Sequence, residues 1–481
     1  MNPRHRDWLV RFTPVLLAIG PAVWLTCCGP KAAGADKPRV LNVIMILADD
    51  LGYGDLGCYG QRQVRTPHLD RMAAEGLHFT QCYAGSTVCA PSRCVLMTGR
   101  HTGHCTVRGN ALVPLRPEDR TVAEVLKSAG YTTALVGKWG LGEPGSTGIP
   151  NRKGFDYFFG YLNQVHAHNY YPDYLWRNQE KVPLEGNVVK GGVASKRAQY
   201  SPDLFTREAL AFVERNRQRP FFLYLAYILP HANNERGRVE GNGMEVPSDA
   251  PYSDRPWPQV EKNHAAMITR LDEYVGRLLK RLKELGLDEN TIIFFSSDNG
   301  PHKEGGADPK FFHSSGPLRG YKRDLYEGGI RVPMIVRWPG HVKAGQVSDL
   351  VCGFQDFLPT AAELAGATAP AHLDGLSLVP TLLGKGGQKR HEFLYWEFHE
   401  RGFKQAVRMG DWKAVRLRPD GPLDLYDLKT DIGETRNVAA EHPDVGAKIT
   451  AYLKTARTES AAFPIRPAPN QPKGSSPRPK E

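Results

Sequence analysis

The stretch Val40-Leu41-Asn42-Val43-Ile44-Met45-Ile46-Leu47-Ala48-Asp49-Asp50 decides how this chain folds. It is an apolar run of strand length that stops at two acids. A strand with one wet face alternates apolar and polar residues, so a nearly continuous apolar run belongs to a strand covered on both faces, as in parallel sheets. Three more runs share this form. Thr132 to Val136 stops at Gly137-Lys138, Phe221 to Leu229 at Pro230-His231, and Thr291 to Phe295 just before Asp298-Asn299. Helical patterns such as Thr121 to Ser128 and Ala265 to Leu285 separate them. The expected fold is α/β, with a large mixed, mostly parallel sheet sandwiched by helices. Ligands of such sheets bind beyond the carboxyl ends of the strands, where four polar strand ends would converge.

Val332 to Trp338 is a fifth apolar run, after which composition shifts through Gly366 to Pro370 and a Gly-rich joint at Gly384 to Gly387. Phe393 to Phe398, Ala406 to Arg408, Trp412 to Arg416 and Leu423 to Leu428 then read as short strands, followed by a helix from Pro443 to Arg457. The expected organisation is an export signal over 1–35, a catalytic domain over 36–388, a small α+β subdomain with a short antiparallel sheet over 389–462, and a Pro-rich disordered tail over 463–481.

The chain has 481 residues, enough to bury a large core without disulfide or metal staples. Its 41% hydrophobic and 23% charged composition excludes collagen-like, coiled-coil, disordered and polytopic membrane classes. More than half of the formal charge of +11 sits at the two ends, on Arg4, Arg6, Arg11 and Lys31 and on Arg466, Lys473, Arg478 and Lys480. The body is too mildly basic to imply a nucleic-acid partner, and a small or polymeric anion suits it better.

Basic residues precede the apolar stretch Phe12 to Thr26, which is shorter than the roughly 20 residues a membrane span needs. Ala33-Gly34-Ala35 offers a cleavage site. Leu25-Thr26-Cys27-Cys28 offers a rival lipoprotein box, in which a lipid on Cys28 would tether the protein to a membrane, and an uncleaved anchor is the third reading. All three place the body outside the cytoplasm, in the periplasm or secreted. The cysteines at 58, 82, 89, 94, 105 and 352 form no CxxC pair, and one or two disulfides are expected among them.

Asp49, Asp50, Asp298 and Asn299 are hard oxygen donors at two strand ends, a set suited to Ca²⁺ or Mg²⁺. Either pair alone also fits ordinary turn chemistry. Cys89-Ala90-Pro91-Ser92-Arg93 is the most specific stretch. Pro91 suits the first turn of a helix, so Cys89 is expected just before a helix amino terminus, where free N–H groups favour an anion and Arg93 adds a charged fork.

With these residues the chain resembles the formylglycine-dependent sulfatases of the alkaline phosphatase superfamily, over roughly residues 39 to 460. The Cys-x-Pro-Ser-Arg motif is joined in the family's order by Ala48-Asp49-Asp50-Leu51-Gly52, Gly137-Lys138-Trp139, Pro230-His231, Asp298-Asn299-Gly300 and Leu318-Arg319-Gly320-Tyr321-Lys322. The resemblance implies an alkaline phosphatase-like fold and sulfate monoester hydrolysis. It implies that a maturation enzyme oxidises Cys89 to Cα-formylglycine and that Asp49, Asp50, Asp298 and Asn299 bind Ca²⁺. It also implies that Arg93, Lys138, His231 and Lys322 surround the sulfate. A hydrated aldehyde offers one hydroxyl to attack sulfur and a second whose deprotonation expels sulfate, an exit that serine or a thiol lacks. Asp298 can accept the proton of the attacking hydroxyl, and His231 and Lys322 can protonate the leaving oxygen.

One position departs from the family. Gly-Lys-Trp-His-Leu-Gly is its common form, and here Gly140 replaces the histidine. His166, His168, His302 or His313 is expected to fill that space, unless the role is dispensable. His166, His168, His302 and Arg319 are also expected to touch the substrate. The polar-aromatic loop Gln164 to Tyr171 suits a sulfated carbohydrate as well as it suits ordinary packing. Two alternatives remain: a phosphonate or phosphodiester hydrolase, and a non-catalytic calcium-dependent binder of sulfated glycans.

Overall fold

A computed structural model describes Pro14 and residues 41–400 and 402–465. The expected export signal, the Cys27-Cys28 lipid site and tail residues 466–481 lie outside the described residues. The strands in chain order are β1 (Asn42–Ala48), β2 (Leu77–Tyr83), β3 (Thr132–Lys138), β4 (Tyr157–Tyr161), β5 (Tyr174–Arg177), β6 (Glu180–Pro183), β7 (Val188–Lys190), β8 (Val193–Lys196), β9 (Phe221–Ala226), β10 (Thr291–Ser297), β11 (Arg331–Arg337), β12 (Gln346–Ser348), β13 (Cys352–Gly353), β14 (Leu394–Phe398), β15 (Lys404–Met409), β16 (Trp412–Arg416) and β17 (Asp424–Asp427). Eleven form one sheet in the order β12-β2-β11-β10-β1-β9-β3-β4-β5-β6, with β13 beside β2. Its central five, β10-β1-β9-β3-β4, are all parallel. The four apolar runs that end in chemistry are therefore neighbours with their carboxyl ends at one edge.

The continuous apolar runs have the physical cause expected of them: both faces are buried. Ile44 and Ile46 of β1 point into one core with Leu223 and Leu225 of β9, while Val43, Met45 and Leu47 point into the other with Phe222 and Tyr224. The helices are α1 (Pro67–Ala74), α2 (Cys89–Thr98), α3 (Val122–Ser128), α4 (Ser201–Arg215), α5 (Asn234–Glu240), α6 (Gln259–Glu284), α7 (Glu327–Ile330), α8 (Phe357–Leu364), α9 (Val379–Leu382) and α10 (Pro443–Leu453). Long α6 covers the first face with Leu271, Val275, Leu278 and Leu282, joined by Phe205 and Phe212 of α4. Helices α2, α3 and α8 cover the second. The fifth run supplies an antiparallel member of the mixed sheet. β11 pairs antiparallel with both β10 and β2, so its carboxyl end points away from the loaded edge.

A four-stranded antiparallel sheet, β14-β15-β16-β17, follows as expected. Trp396, Phe398, Ala406 and Val415 on one face pack with Tyr83, Val88 and Ile330, and the other face packs under Ile449 and Leu453 of α10. Both sheets belong to one compact unit. Packing extends past the boundary expected at 462, because Phe463 is buried and its ring lies 5.4 Å from that of His399. The expected disulfides do not form: all six described cysteines are free thiols. Cys82, Cys94, Cys105 and Cys352 sit within the second core as small apolar groups, and a core of this size needs no staple.

Candidate active site

Cys89 is the first residue of α2, one position further in than expected, and every residue of that helix is buried. Val88 is its extended N-cap, and Gly99 ends the helix at φ +68°. The backbone N–H of Ala90 donates to Asn110 Oδ1 at 3.1 Å, which fixes the start of the helix. Cys89 Sγ donates to Asp49 Oδ1 at 3.3 Å. One turn on, Arg93 reaches back to the sheet edge. Its Nε and Nη2 donate to Asp298 Oδ2 at 3.0 and 2.8 Å, its Nη1 donates to the Lys138 carbonyl at 2.8 Å, and Nη2 lies 3.4 Å from Asp49 Oδ2.

The four strand ends meet as the topology requires. Lys138, the last residue of β3, donates to Asp49 Oδ2 at 2.6 Å. Lys322 donates to Asp50 Oδ2 at 2.8 Å and lies 3.1 Å from His231 Nε2. His231 Nδ1 is 2.7 Å from the Ala232 carbonyl, which makes it the protonated nitrogen and leaves Nε2 to accept from Lys322. Asn299 Nδ2 donates to Asp50 Oδ1 at 2.7 Å and to the Gly300 carbonyl at 2.9 Å, which fixes its amide; Oδ1, buried, has no partner. Ligand atoms of Asp49, Asp50, Cys89 and His231 fall within 4.8 Å of one another.

Three buried carboxylates facing three buried cations set the electrostatics. Burial opposes ionisation of Asp49, but Lys138 and its cationic neighbours outweigh it and hold the carboxyl well below its ordinary value. Burial and the Asp49 charge push Asp298 up to about 7 against the pull of Arg93. Burial, then Asp298 and Asp49, push the Cys89 thiol well above its ordinary value. Burial and the Lys322 charge bring His231 down to about 3, which keeps its ring neutral. A carbonyl oxygen left unpaired among three carboxylates is what a hard divalent cation takes up, so the donor set fits Ca²⁺ or Mg²⁺.

Of the other expected residues, His168 and His302 flank the cluster. His168 stacks on His231 with centroids 4.9 Å apart and holds Glu235 Oε2 at 3.0 Å, and His302 lies 6.2 Å from the His231 ring. His166 is packed between Tyr161 and Tyr174, Arg319 lies over Tyr326 and donates to the Glu434 carbonyl, and His313 is exposed. None of these three joins the cluster. The space beside Gly140 is taken by Gln164, not by a histidine: a Cβ at 140 would lie 2.2 Å from Gln164 Nε2, a buried atom without a partner. Sequence reasoning also missed Glu304, which accepts from Lys322 at 3.2 Å, and Asn110. Neither lies in a motif, and only the approach of distant loops exposes them.

Residues 41–367 match the family model described as Sulfatase, and residues 320–460 match the one described as N-sulphoglucosamine sulphohydrolase, C-terminal. The chain is 32% identical to steryl-sulfatase of Mus musculus, over 95% of this chain and 88% of that protein. It is 35% identical to arylsulfatase A of Homo sapiens, over 86% of this chain and 87% of that one. Among solved structures, Ps i-CgsB in complex with k-i-k-neocarrahexaose superposes with a TM-score of 0.76 at 29% identity, covering 88% of this chain and 94% of that chain. Loaded strand ends around Cys89 and these likenesses lead to one conclusion: the chain belongs to the sulfatase family of the alkaline phosphatase superfamily and is a sulfatase enzyme.

Proposed function

We propose that this sulfatase is exported and hydrolyses sulfate monoesters of carbohydrates. It acts through a Cα-formylglycine made from Cys89 by a formylglycine-generating maturation enzyme, beside a Ca²⁺ held by Asp49, Asp50, Asp298 and Asn299, with Mg²⁺ as a substitute. The observation that carries this reading is the convergence of Arg93, Lys138, His231 and Lys322 with those oxygen donors around the first residue of α2. The neighbour solved with k-i-k-neocarrahexaose supports a carbohydrate substrate. The basic and apolar amino-terminal pattern supports export.

The cation supplies electrostatic stabilisation of the sulfate and of charge developing on the leaving oxygen. The aldehyde hydrate supplies a hydroxyl nucleophile with a second hydroxyl on the same carbon. This chain's own residues do the rest. Arg93 fixes Asp298 and Asp49 against the start of α2. Lys138, tied to Asp49 by one N–H, has two left for sulfate oxygens. The Ala232 carbonyl fixes the His231 tautomer, so the His231–Lys322 pair holds a proton at Lys322 Nζ, ready for the leaving oxygen.

The test uses protein from its native host, with peptide mass spectrometry across residue 89 and release assays on 4-nitrophenyl sulfate, phosphonate and phosphodiester substrates, and sulfated oligosaccharides. An aldehyde at 89 and sulfate release that EGTA abolishes are expected. Faster phosphoryl release would replace this reading with the phosphonate or phosphodiester hydrolase. An intact thiol in a protein that binds sulfated saccharides without turnover would replace it with the calcium-dependent binder.

A further inference from the structure

In front of Lys322 lies a cavity of about 670 Å³, far more than a sulfate group fills. Glu304, Tyr321, Arg323 and Asp324 line it, together with Glu400 from the loop after β14. Glu304 and Glu400 on this wall are paired with cations, and Asp324 is held by a backbone N–H. Glu304 accepts from Lys322 at 3.2 Å and from Arg323 Nη1 at 2.5 Å. Glu400 accepts from Arg323 Nε at 2.9 Å and from Asn110 Nδ2 at 3.3 Å. Asp324 accepts from the Tyr321 backbone N–H at 3.0 Å.

Two cations on the same wall are not balanced. Among the described residues, Lys303 has no carboxylate at ion-pair distance. Its ammonium lies 4.2 Å from the centre of the Tyr321 ring, which holds the group in place without cancelling its charge. Arg238 on α5 has only Glu235, at 3.6 Å, and its side chain is 75% exposed, a contact that neutralises little. A cavity that opens on the sulfate-side ammonium and adds two available cations is built for a ligand with more than one negative group.

We infer that this cavity is a subsite for a second anionic substituent of the saccharide, a sulfate or a carboxylate, recognised by Lys303 and Arg238. The inference rests on the sulfatase reading of the adjoining cluster. The substrate class is then a saccharide that carries another negative group near the scissile sulfate, and a neutral sugar bearing one sulfate is the poorer ligand.

The test is calorimetric binding to the Ca²⁺-loaded Cys89→Ala protein. Three disaccharides are compared: one with a single sulfate, one with two sulfates, and one with a sulfate and a uronate carboxylate. At least one dianion is expected to bind about tenfold more tightly than the monosulfated sugar, and which one does so identifies the group. Lys303→Ala and Arg238→Ala each narrow that margin, and the double variant removes it. The margin also shrinks in about 1 M NaCl, where exposed charges are screened beyond about 3 Å. Equal affinity for all three sugars, no measurable binding of any, or a margin that survives the double substitution overturns the inference. Sulfate release from 4-nitrophenyl sulfate by the converted wild-type protein reports separately on the sulfatase reading.

Discussion

At Gly140 φ is +80° and a Cβ would meet Gln164 Nε2 at 2.2 Å. The backbone therefore favours glycine, and any side chain there must also displace the end of Gln164. Gly140→Ala is expected to cost about 1–3 kcal/mol in urea unfolding. Gly140→Ala with Gln164→Ala should recover the steric part and leave only the backbone part, a separation that a double-mutant cycle reads directly. His264 on α6 is a second residue whose surroundings decide its chemistry. It is buried beside His302 and Phe312 with both ring nitrogens unpartnered, and burial, followed by the His302 charge, brings its pKa to about 3. The unfolded chain protonates this ring near 6.5 while the folded one resists. The stability His264 permits is present above pH 6.5 and is lost as pH falls toward 3. His264→Phe is expected to be about 1 kcal/mol more stable than wild type at pH 7.5. Its advantage should grow as pH falls through that window, as followed by thermal unfolding at a series of pH values. At this scale Cys89, Arg93 and the acids were legible because their motifs stand at strand ends and a helix start that the fold brings together. Glu304 and Gln164 were not, because their importance comes from what lies across the cleft.

Elements were legible where burial left a periodic trace. β1, β3, β9 and β10 carry apolar runs and are almost wholly buried because both faces are covered, and each stops where the chain emerges at the loaded edge. β11 has the same trace but the opposite direction, since an apolar run records burial and carries no sign of strand polarity. α3 is written in its caps as well as its apolar face. Thr121 Oγ1 accepts from the Glu124 N–H at 3.2 Å and the Glu124 carboxylate accepts from the Thr121 N–H at 2.9 Å, a reciprocal box that closes the helix start. Thr121→Ala is expected to cost about 1 kcal/mol, and more where Thr121 also anchors the Lys153 carbonyl at 2.8 Å. Chemical denaturation checks the stability, and hydrogen exchange over 122–128 should show the loss concentrated in that helix.

In the whole molecule, a buried ionic bridge fastens the small sheet to the large one. Lys413 of β16 donates to Glu327 Oε1 at 3.0 Å and lies 3.5 Å from Glu434 Oε1, with Lys413, Glu327 and Glu434 all fully buried. Tyr83 of β2 donates to Glu327 Oε2 at 2.6 Å, which ties the bridge into the large sheet. Removing a buried partner leaves uncompensated charge, so Lys413→Met is expected to cost about 3–5 kcal/mol in denaturant unfolding. Pairing that change with Glu327→Gln should return part of the loss, because one stranded charge is then gone.

The sequence by itself determined the α/β class, the four loaded strands, the small antiparallel sheet and the sulfatase family. Two-sided burial, turn chemistry and metal preference are each expressed by residue type and short-range spacing. Tertiary structure alone decided the direction of β11, the replacement of a histidine by Gln164 beside Gly140, and the free state of six cysteines. It alone brought Lys303, Arg238 and Glu400 to one cavity. Those outcomes depend on contacts between segments well separated along the chain, for which local periodicity and composition carry no record.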